Sequence, residues 1–296
     1  FFIFIIWGDF MFKIFTFKTL AVISACICFL LIAGAFFNAF SPIIEANLTL
    51  SANVPIVMYH QIKDTTSNWG NYILPTHVLK EDFEYFKKAG IIPVSFDDLK
   101  DFVENGKALP KKCIVITFDD GEKSFLTKVV PLLEEYSYPA NINIVGSLIE
   151  LYTKNGETDD RYAYLNEDDI KTLSKNPLVE MGCHSYNLHS LSNRRGMGKL
   201  YGESDEAYLE FIKRDFEKFD SVVASAINKD LRILAYPYGI RNDTLLGFAK
   251  EKGYTITLTC RESVNTLTVG GDLYELGRFN RPYGKSSEDF FGRFYE

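Results

Sequence analysis

The sequence predicts an α/β fold in which helices cover a parallel sheet, with about seven or eight strand–helix units closing into a (β/α) barrel. Three observations carry the prediction. Short apolar runs of strand length alternate with helix-length amphipathic stretches over about 250 residues. No repeat, low-complexity tract or second linker interrupts the alternation, so these residues form one domain. The residues with the clearest chemistry follow directly after apolar runs, where such barrels gather their reactive groups. An open doubly wound sheet is the alternative arrangement of the same elements.

Each element has a local reason. Pro55-Ile56-Val57-Met58-Tyr59 reads as a strand. Leu79, Phe83 and Phe86 recur at helical spacing, and Gly90 closes their helix. Ser95 with Asp98 three positions on forms a capping-box pattern ahead of Leu99, Phe102 and Val103, and Gly106 ends that helix. Cys113 to Phe118 is a short buried strand that stops abruptly at Asp119-Asp120-Gly121. Leu132 and Leu133 belong to the next helix and Ala140 to Val145 to the next strand. Asn166 caps a helix through Ser174, Val179 to Cys183 is a strand, and a long helix runs from Ser204 to Ile227. Ile233 to Tyr236 is a strand, Asn242 caps a helix closed by Gly253, and Thr255 to Cys260 is a strand. Leu276 to Asn280 and a terminal helix from Ser287 complete the pattern.

The 296 residues are 47% hydrophobic and 24% charged, which excludes disordered, collagen-like and miniature disulfide-stapled classes. A net charge of -7 argues against a nucleic-acid binder, which needs a basic face. Residues 1–40 differ from the rest: they hold 11 of the 25 Phe and only three charges, Asp9, Lys13 and Lys18. From Thr19 to Ile44 no side chain is charged, and Leu20 to Ala35 is almost continuously apolar. That run is long enough to span a bilayer, and the lysines before it favour a translocated C-terminal part. It fits an uncleaved membrane anchor or a cleaved signal peptide, with Ala33-Gly34-Ala35 as the cleavage site; a buried helix is the plainer alternative. Met11 opens a conventional signal, so Phe1 to Phe10 are expected to be untranslated. The expected organisation is an N-terminal segment at 1–40, a linker at 41–53 and a single domain at 54–296.

Cys26 and Cys28 lie in the apolar segment, which leaves Cys113, Cys183 and Cys260 for the domain. An odd number is no disulfide framework, and each sits in or beside an apolar run, as a small buried thiol does.

His184-Ser185-Tyr186-Asn187-Leu188-His189 places two imidazoles five positions apart, which neither a helix nor a strand brings to one side. The rings converge only if the chain turns between them, and Asn187 suits a turn. Alone, the pair is either two metal ligands or an ordinary hydrogen-bonded pair. In Asp119-Asp120-Gly121, two adjacent carboxylates repel each other and are expensive to desolvate, a cost that a nearby cation relieves. Alone, this motif is equally a solvated turn. Together, Asp120, His184 and His189 offer two nitrogens and one oxygen, the three-ligand set of a catalytic zinc site, with Asp119 beside it as a base.

Thr117-Phe118-Asp119-Asp120-Gly121, the His-Ser-x-x-x-His loop and Tyr236-Pro237-Tyr238-Gly239 follow successive strands in this order. Together they resemble the NodB-type polysaccharide deacetylases, carbohydrate esterase family 4. Val57-Met58-Tyr59-His60 looks like the opening strand of the subgroup acting on cell-surface glucosamine polymers. The resemblance spans about residues 54 to 284. It implies a distorted (β/α) barrel of about seven strands, Asp119 as catalytic base, and Asp120, His184 and His189 as ligands of a divalent metal, zinc by preference. It also implies the Tyr238 backbone N–H as an oxyanion donor. The implied activity is removal of N-acetyl groups from an extracytoplasmic polysaccharide of peptidoglycan or poly-N-acetylglucosamine type. The domain would meet the membrane through its N-terminal segment if that stays uncleaved. The same residues would serve an O-acetyl esterase on a polymer such as xylan, and the barrel alone a non-catalytic glycan-binding module.

Two departures from the family pattern stand out. Ala235-Tyr236 occupy the place where many members carry an arginine before the proline of the third motif, and Arg278 or Arg281 could replace it. No histidine follows His189, so the general acid of the family is absent from its usual place; His60 is the candidate for it, ahead of His77, which is expected on the surface. Trp69 and Tyr72, in the loop after His60, either stack on sugar rings or pack over the barrel mouth.

Overall fold

The computed structural model describes residues 2–7, 10–16, 26–32, 51–64 and 68–295, in two units divided between Leu50 and Ser51. In the first, Phe2–Trp7 and Phe10–Thr16 pair as an antiparallel hairpin, and residues 26–32 are helical. Most of the apolar run Leu20 to Ala35, the cleavage candidate at residues 33–35 and the linker residues 41–50 lie outside the described residues. Among the described residues no helix is long and apolar enough to cross a membrane.

The second unit is built on eight parallel strands, numbered here in chain order: β1 (Ile56–Tyr59), β2 (Cys113–Phe118), β3 (Ala140–Ile144), β4 (Val179–Cys183), β5 (Ile233–Ala235), β6 (Ile256–Leu258), β7 (Leu273–Leu276) and β8 (Phe279–Asn280). They lie in the order β7-β6-β5-β4-β3-β2-β1-β8, with the short strand Ile92–Pro93 pairing beside β2. Helices cross between them: Thr76–Ala89 and Phe96–Asn105 after β1, Val130–Tyr136 after β2, Gly146–Asn155 and Glu167–Leu173 after β3, Asp205–Phe219 after β4 and Asp243–Glu251 after β5. The α/β prediction and its succession of strands therefore hold.

Chain connectivity forces the sheet to curl. β7 and β8 are its two ends, yet only Gly277 and Arg278 separate them in sequence. Leu276 and Phe279 lie at most about 11 Å apart along an extended chain, whereas eight strands laid flat would span about 33 Å. The result is an incomplete barrel, not a flat doubly wound sheet. Leu276 to Asn280, read as one run in the sequence, is thus divided between opposite edges. Asn265 secures the crossing: its side chain accepts from Gly277 N at 2.8 Å and donates to the Gly277 carbonyl at 2.9 Å.

Side-chain alternation sorts the strands into two faces. Ile114, Ile116 and Phe118 of β2 pack into one buried cluster with the helices, while Cys113 and Val115 join another with Ile56, Ala235 and Leu258. The period of two carries Thr117 and Asp119 onto this second, interior face.

One other boundary differs from expectation, and one holds with a break inside the helix. Residues 51–53, assigned to the linker, belong to a strand, Ser51–Val54, that pairs antiparallel with Asn265–Thr268. The helix capped by Ser204 runs through Phe219, passes a π-turn at Asp220–Ala224 and ends at Ile227 before left-handed Asn228.

At the opposite end of the barrel Glu180 of β4 accepts from the backbone N–H groups of Phe96 at 2.8 Å and Asp97 at 3.0 Å, the start of the Phe96–Asn105 helix. Burial nevertheless pushes its carboxyl from an ordinary 4.5 up to about 7. Between those values the folded protein holds a proton that the unfolded chain lacks. This contribution to stability is full below pH 4.5 and is lost as the pH rises through 7. Glu180→Gln should therefore flatten the fall in stability between pH 5 and 7, measured by urea unfolding at each pH; an unchanged slope would assign the fall to other groups.

Candidate metal centre and base

Asp119 and Asp120 follow β2 where its last residue, Phe118, pairs with Tyr59. Asp119 N–H donates to the Tyr59 carbonyl at 3.0 Å, which keeps the backbone on the ladder for one more residue. Asp120 and Gly121 then both adopt left-handed conformations, with φ of 74° and 79°. Aspartate and glycine tolerate this region best, and the turn throws the two carboxylates apart in environment: Asp119 is buried and Asp120 half-buried.

The histidine loop turns at Ser185, whose φ is 70°, and bends again at Tyr186 and Asn187, the latter where the sequence suggested a turn. Asp215, from the Asp205–Phe219 helix, accepts from the backbone N–H groups of Tyr186 and Asn187, each at 2.8 Å. With the loop so clamped, the two imidazoles converge, their centroids 5.1 Å apart.

His184 Nε2 is 3.5 Å from Asp120 Oδ1, and His189 Nε2 is 3.2 Å from the same oxygen. One ligand atom from each of the three residues lies within 4.8 Å of the others. A tetrahedral centre with bonds of about 2.1 Å sets its ligands roughly 3.4 Å apart, so the set fits a divalent cation with little adjustment. Asp120 Oδ1 is also buried with no hydrogen-bond partner, an orphan that a cation would satisfy. His184 Nδ1 lies 2.7 Å from the Ala235 carbonyl; a carbonyl only accepts, so Nδ1 carries the proton and Nε2 offers its lone pair to the centre. Burial lowers His184 to about 4 and lowers His189 and His60 as well. All three rings are neutral at pH 7, as ligation requires.

Asp119 is held by Arg278 in a bidentate pair, NH1 to Oδ1 and NH2 to Oδ2, both 2.8 Å, with each side chain buried. Arg278 Nε donates to the Thr259 carbonyl at 3.0 Å, so the fork is fixed at its base too. Burial alone pushes the Asp119 carboxyl up; the Arg278 guanidinium, with His184 adding to it, overrides burial and holds it well below the usual carboxylate range. Asp120 goes the other way: burial, joined by the Asp119 charge, pushes it up to about 6 against His60 and Arg278. Of the two arginines offered by the sequence, Arg278 meets Asp119. Arg281 instead pairs with Asp82 at 2.8 Å, in a buried network with Tyr59 and Ser287.

His60 follows β1 and feels the charges of Asp119, Asp120 and Arg278, so it faces the same centre. Its Nδ1 is buried and unpartnered. Tyr72 lies edge-on to the ring at 4.8 Å and is itself 60% exposed. Trp69 packs on Tyr283 at 5.4 Å and donates its indole N–H to the Lys63 carbonyl. His77 is exposed, as expected. Cys183 and Cys113 are buried thiols, and Cys183 packs in the cluster that holds Ile114, Ile116 and Phe118. Cys260, expected to be buried, is only partly so and sits against Arg278.

One site residue went unnoticed in the sequence. Asn143 of β3 donates to Asp119 Oδ1 at 2.8 Å. A Cβ at Gly182 would stand 2.2 Å from Asn143 Oδ1, so the neighbouring strand needs glycine there. The signal was present: Asn141 and Asn143 alternate with apolar residues in β3 and both are fully buried.

Comparison with known proteins decides the family. The family described as polysaccharide deacetylase matches residues 106–257, just over half of the chain. The chain belongs to the polysaccharide deacetylase family. Within it, a poly-beta-1,6-N-acetyl-D-glucosamine N-deacetylase of Escherichia coli strain K12 is 27% identical over 222 residues, 69% of this chain and 33% of that protein. One from Staphylococcus aureus strain MSSA476 is 27% identical over 174 residues, 58% of this chain and 56% of that protein. The deacetylase domain thus spans between a third and just over half the length of these relatives. Among solved structures, a de-N-acetylase from Aggregatibacter actinomycetemcomitans superposes with a TM-score of 0.68 at 25% identity, covering 81% of this chain and 99% of that one. IcaB from Ammonifex degensii gives 0.68 at 19% identity, over 83% and 98% of the two chains, which supports the fold.

The Asp119–Arg278 pair yields a test by stability alone. Arg278→Met strands a buried carboxylate, which should cost about 3–5 kcal/mol. Asp119→Asn with Arg278→Met should recover a large part of it. Urea unfolding of the two single variants and the double should give a coupling above about 1 kcal/mol; strictly additive losses would show that the pair does not act as a unit.

Proposed function

We propose that the chain is a divalent-metal-dependent N-deacetylase of a poly-N-acetylglucosamine-type polysaccharide, acting outside the cytoplasmic membrane. The observation that carries the reading is the convergence of Asp120, His184 and His189 on one centre beside an ionised, immobilised Asp119. A binding module has no use for a base in that position. The named activity of the two bacterial relatives supports the substrate class, and the uncharged run after Lys13 and Lys18 supports export.

Asp120, His184 and His189 would hold the cation. Bound there, a divalent cation supplies Lewis acidity, which lowers the pKa of water and polarises an acetamide carbonyl. Asp119 takes the proton of the attacking water; its low pKa keeps it ready as a carboxylate, and Arg278 keeps it pointed. The Tyr238 backbone N–H, in a turn with φ of 58°, donates to the oxyanion as the carbonyl becomes tetrahedral. A proton must then reach the amine before the carbon–nitrogen bond breaks. His60 is the candidate to deliver it, and must first take up a proton itself, because its lowered pKa leaves the resting ring neutral at pH 7.

Acetate release tests this directly. The protein should free acetate from poly-N-acetylglucosamine, lose that activity with a chelator and regain it with zinc. Asp119→Asn should lower turnover by about 10²–10⁴-fold. Release from acetylated xylan alone would move the reading to an O-acetyl esterase, and no release from either polymer or from peptidoglycan would end it. His60→Ala should lower turnover by at least about 10²-fold while zinc content by atomic absorption stays at wild-type level; unchanged turnover would remove His60 as the acid.

A further inference from the structure

The two histidines of the centre are restrained in different ways. His184 is buried and donates to a group that can only accept, so its tautomer is fixed. His189 has 29% of its side chain exposed, and its Nδ1 lies 3.2 Å from the Tyr238 hydroxyl, which both donates and accepts. Its Nε2 lies 3.2 Å from Asp120 Oδ1. Two tautomers fit these neighbours. In one, Nε2 carries the proton and faces the Asp120 carboxylate without a formed hydrogen bond, while Nδ1 accepts from Tyr238. In the other, Nδ1–H donates to Tyr238 and Nε2 is free. Only the second can ligate a cation.

We propose that the Tyr238 side chain is a positioning residue of the metal centre: its hydroxyl accepts from His189 Nδ1–H in the ligating tautomer, and its ring sets the plane of the imidazole. This rests on the metal centre proposed above. The ring centroids are 4.6 Å apart with a 32° interplanar angle, so the phenol covers the imidazole as well as bonding its edge. The left-handed backbone at Tyr238 belongs to the same turn, so one residue presents its N–H to the reacting carbonyl and its hydroxyl to a ligand. A phenylalanine there would keep the ring contact but could not accept Nδ1–H, and His189 would fall back on the tautomer that Asp120 stabilises.

The test is zinc affinity, read by competition with a chromogenic chelator on chelator-stripped protein. Tyr238→Phe should weaken zinc binding about 10-fold and Tyr238→Ala by about 10- to 100-fold. Tyr201→Phe, at a fully exposed tyrosine, should match wild type. Histidine-ring nitrogen NMR gives a second readout that a purely structural role would not move. In metal-free Tyr238→Phe the His189 ring should shift toward the Nε2–H tautomer, while His184 keeps its Nδ1–H signal and thermal unfolding stays at the wild-type temperature. Zinc affinity of Tyr238→Phe within twofold of wild type, or an unmoved His189 tautomer, would overturn the assignment. Wild-type protein that takes up no zinc would overturn the metal centre itself, and this assignment with it.

Discussion

A buried guanidinium gripping a buried carboxylate is the constraint on which the site depends. Asp119 and Asp120 are adjacent, and two neighbouring carboxylates taken from water cannot both ionise cheaply. Arg278 resolves the conflict in favour of Asp119 by meeting both of its oxygens at 2.8 Å with no solvent between. Asp120, without such a partner, is left with a raised pKa and an orphan oxygen. Environments that push two like groups apart suit them to different chemistry: one stays ionised, as the proposed base requires, and the other gains most from a cation.

The position of Arg278 follows from the curl of the sheet. It lies in the two-residue passage between the sheet's first and last edges, so its side chain enters the interior where β2 ends. Asn265 holds Gly277 from both sides, and the Thr259 carbonyl holds Nε. The barrel stays open between β7 and β8, and the backbone of Gly277 and Arg278 bridges the gap. Stability and chemistry therefore share one segment, and a change in that passage should disturb both.

Much of this was readable from the chain. The strands are short apolar runs, and the capping boxes at Ser95 and Asn166 form as their spacing implies. Asp119, Asp120, His184 and His189 announce themselves by following strands directly. What stayed hidden acts across long sequence separations. Arg278 is 159 positions from Asp119, and nothing local distinguished it from Arg281, three residues on and committed to Asp82 instead. Asp215, which clamps the histidine loop from a helix 28 positions away, looks in the sequence like any acidic residue on an amphipathic helix. Asn143 is hidden differently: apolar residues define its strand, and only the alternation of Asn141 and Asn143 with them marks an inward polar face.

The hydrogen-bond capacity of Asp119 suits the proposed role of a base better than that of a fourth ligand. An ionised carboxylate offers about four lone-pair sites. On Oδ1, Arg278 NH1 and Asn143 Nδ2 take two, both at 2.8 Å. On Oδ2, Arg278 NH2 takes a third. The remaining site is on Oδ2, the oxygen that lies 4.0 Å from His184 Nε2 and so borders the centre without entering it. Asp119 stands outside the group of Asp120, His184 and His189 whose ligand atoms converge, and its rotamer is fixed by three donors. The family-matched residues 106–257 contain Asp119, both histidines and Asn143 but neither Arg278 nor His60. The residues that would bind a cation therefore lie in one stretch of sequence with Asp119, while Arg278, which orients Asp119, and His60 come from the two ends of the domain.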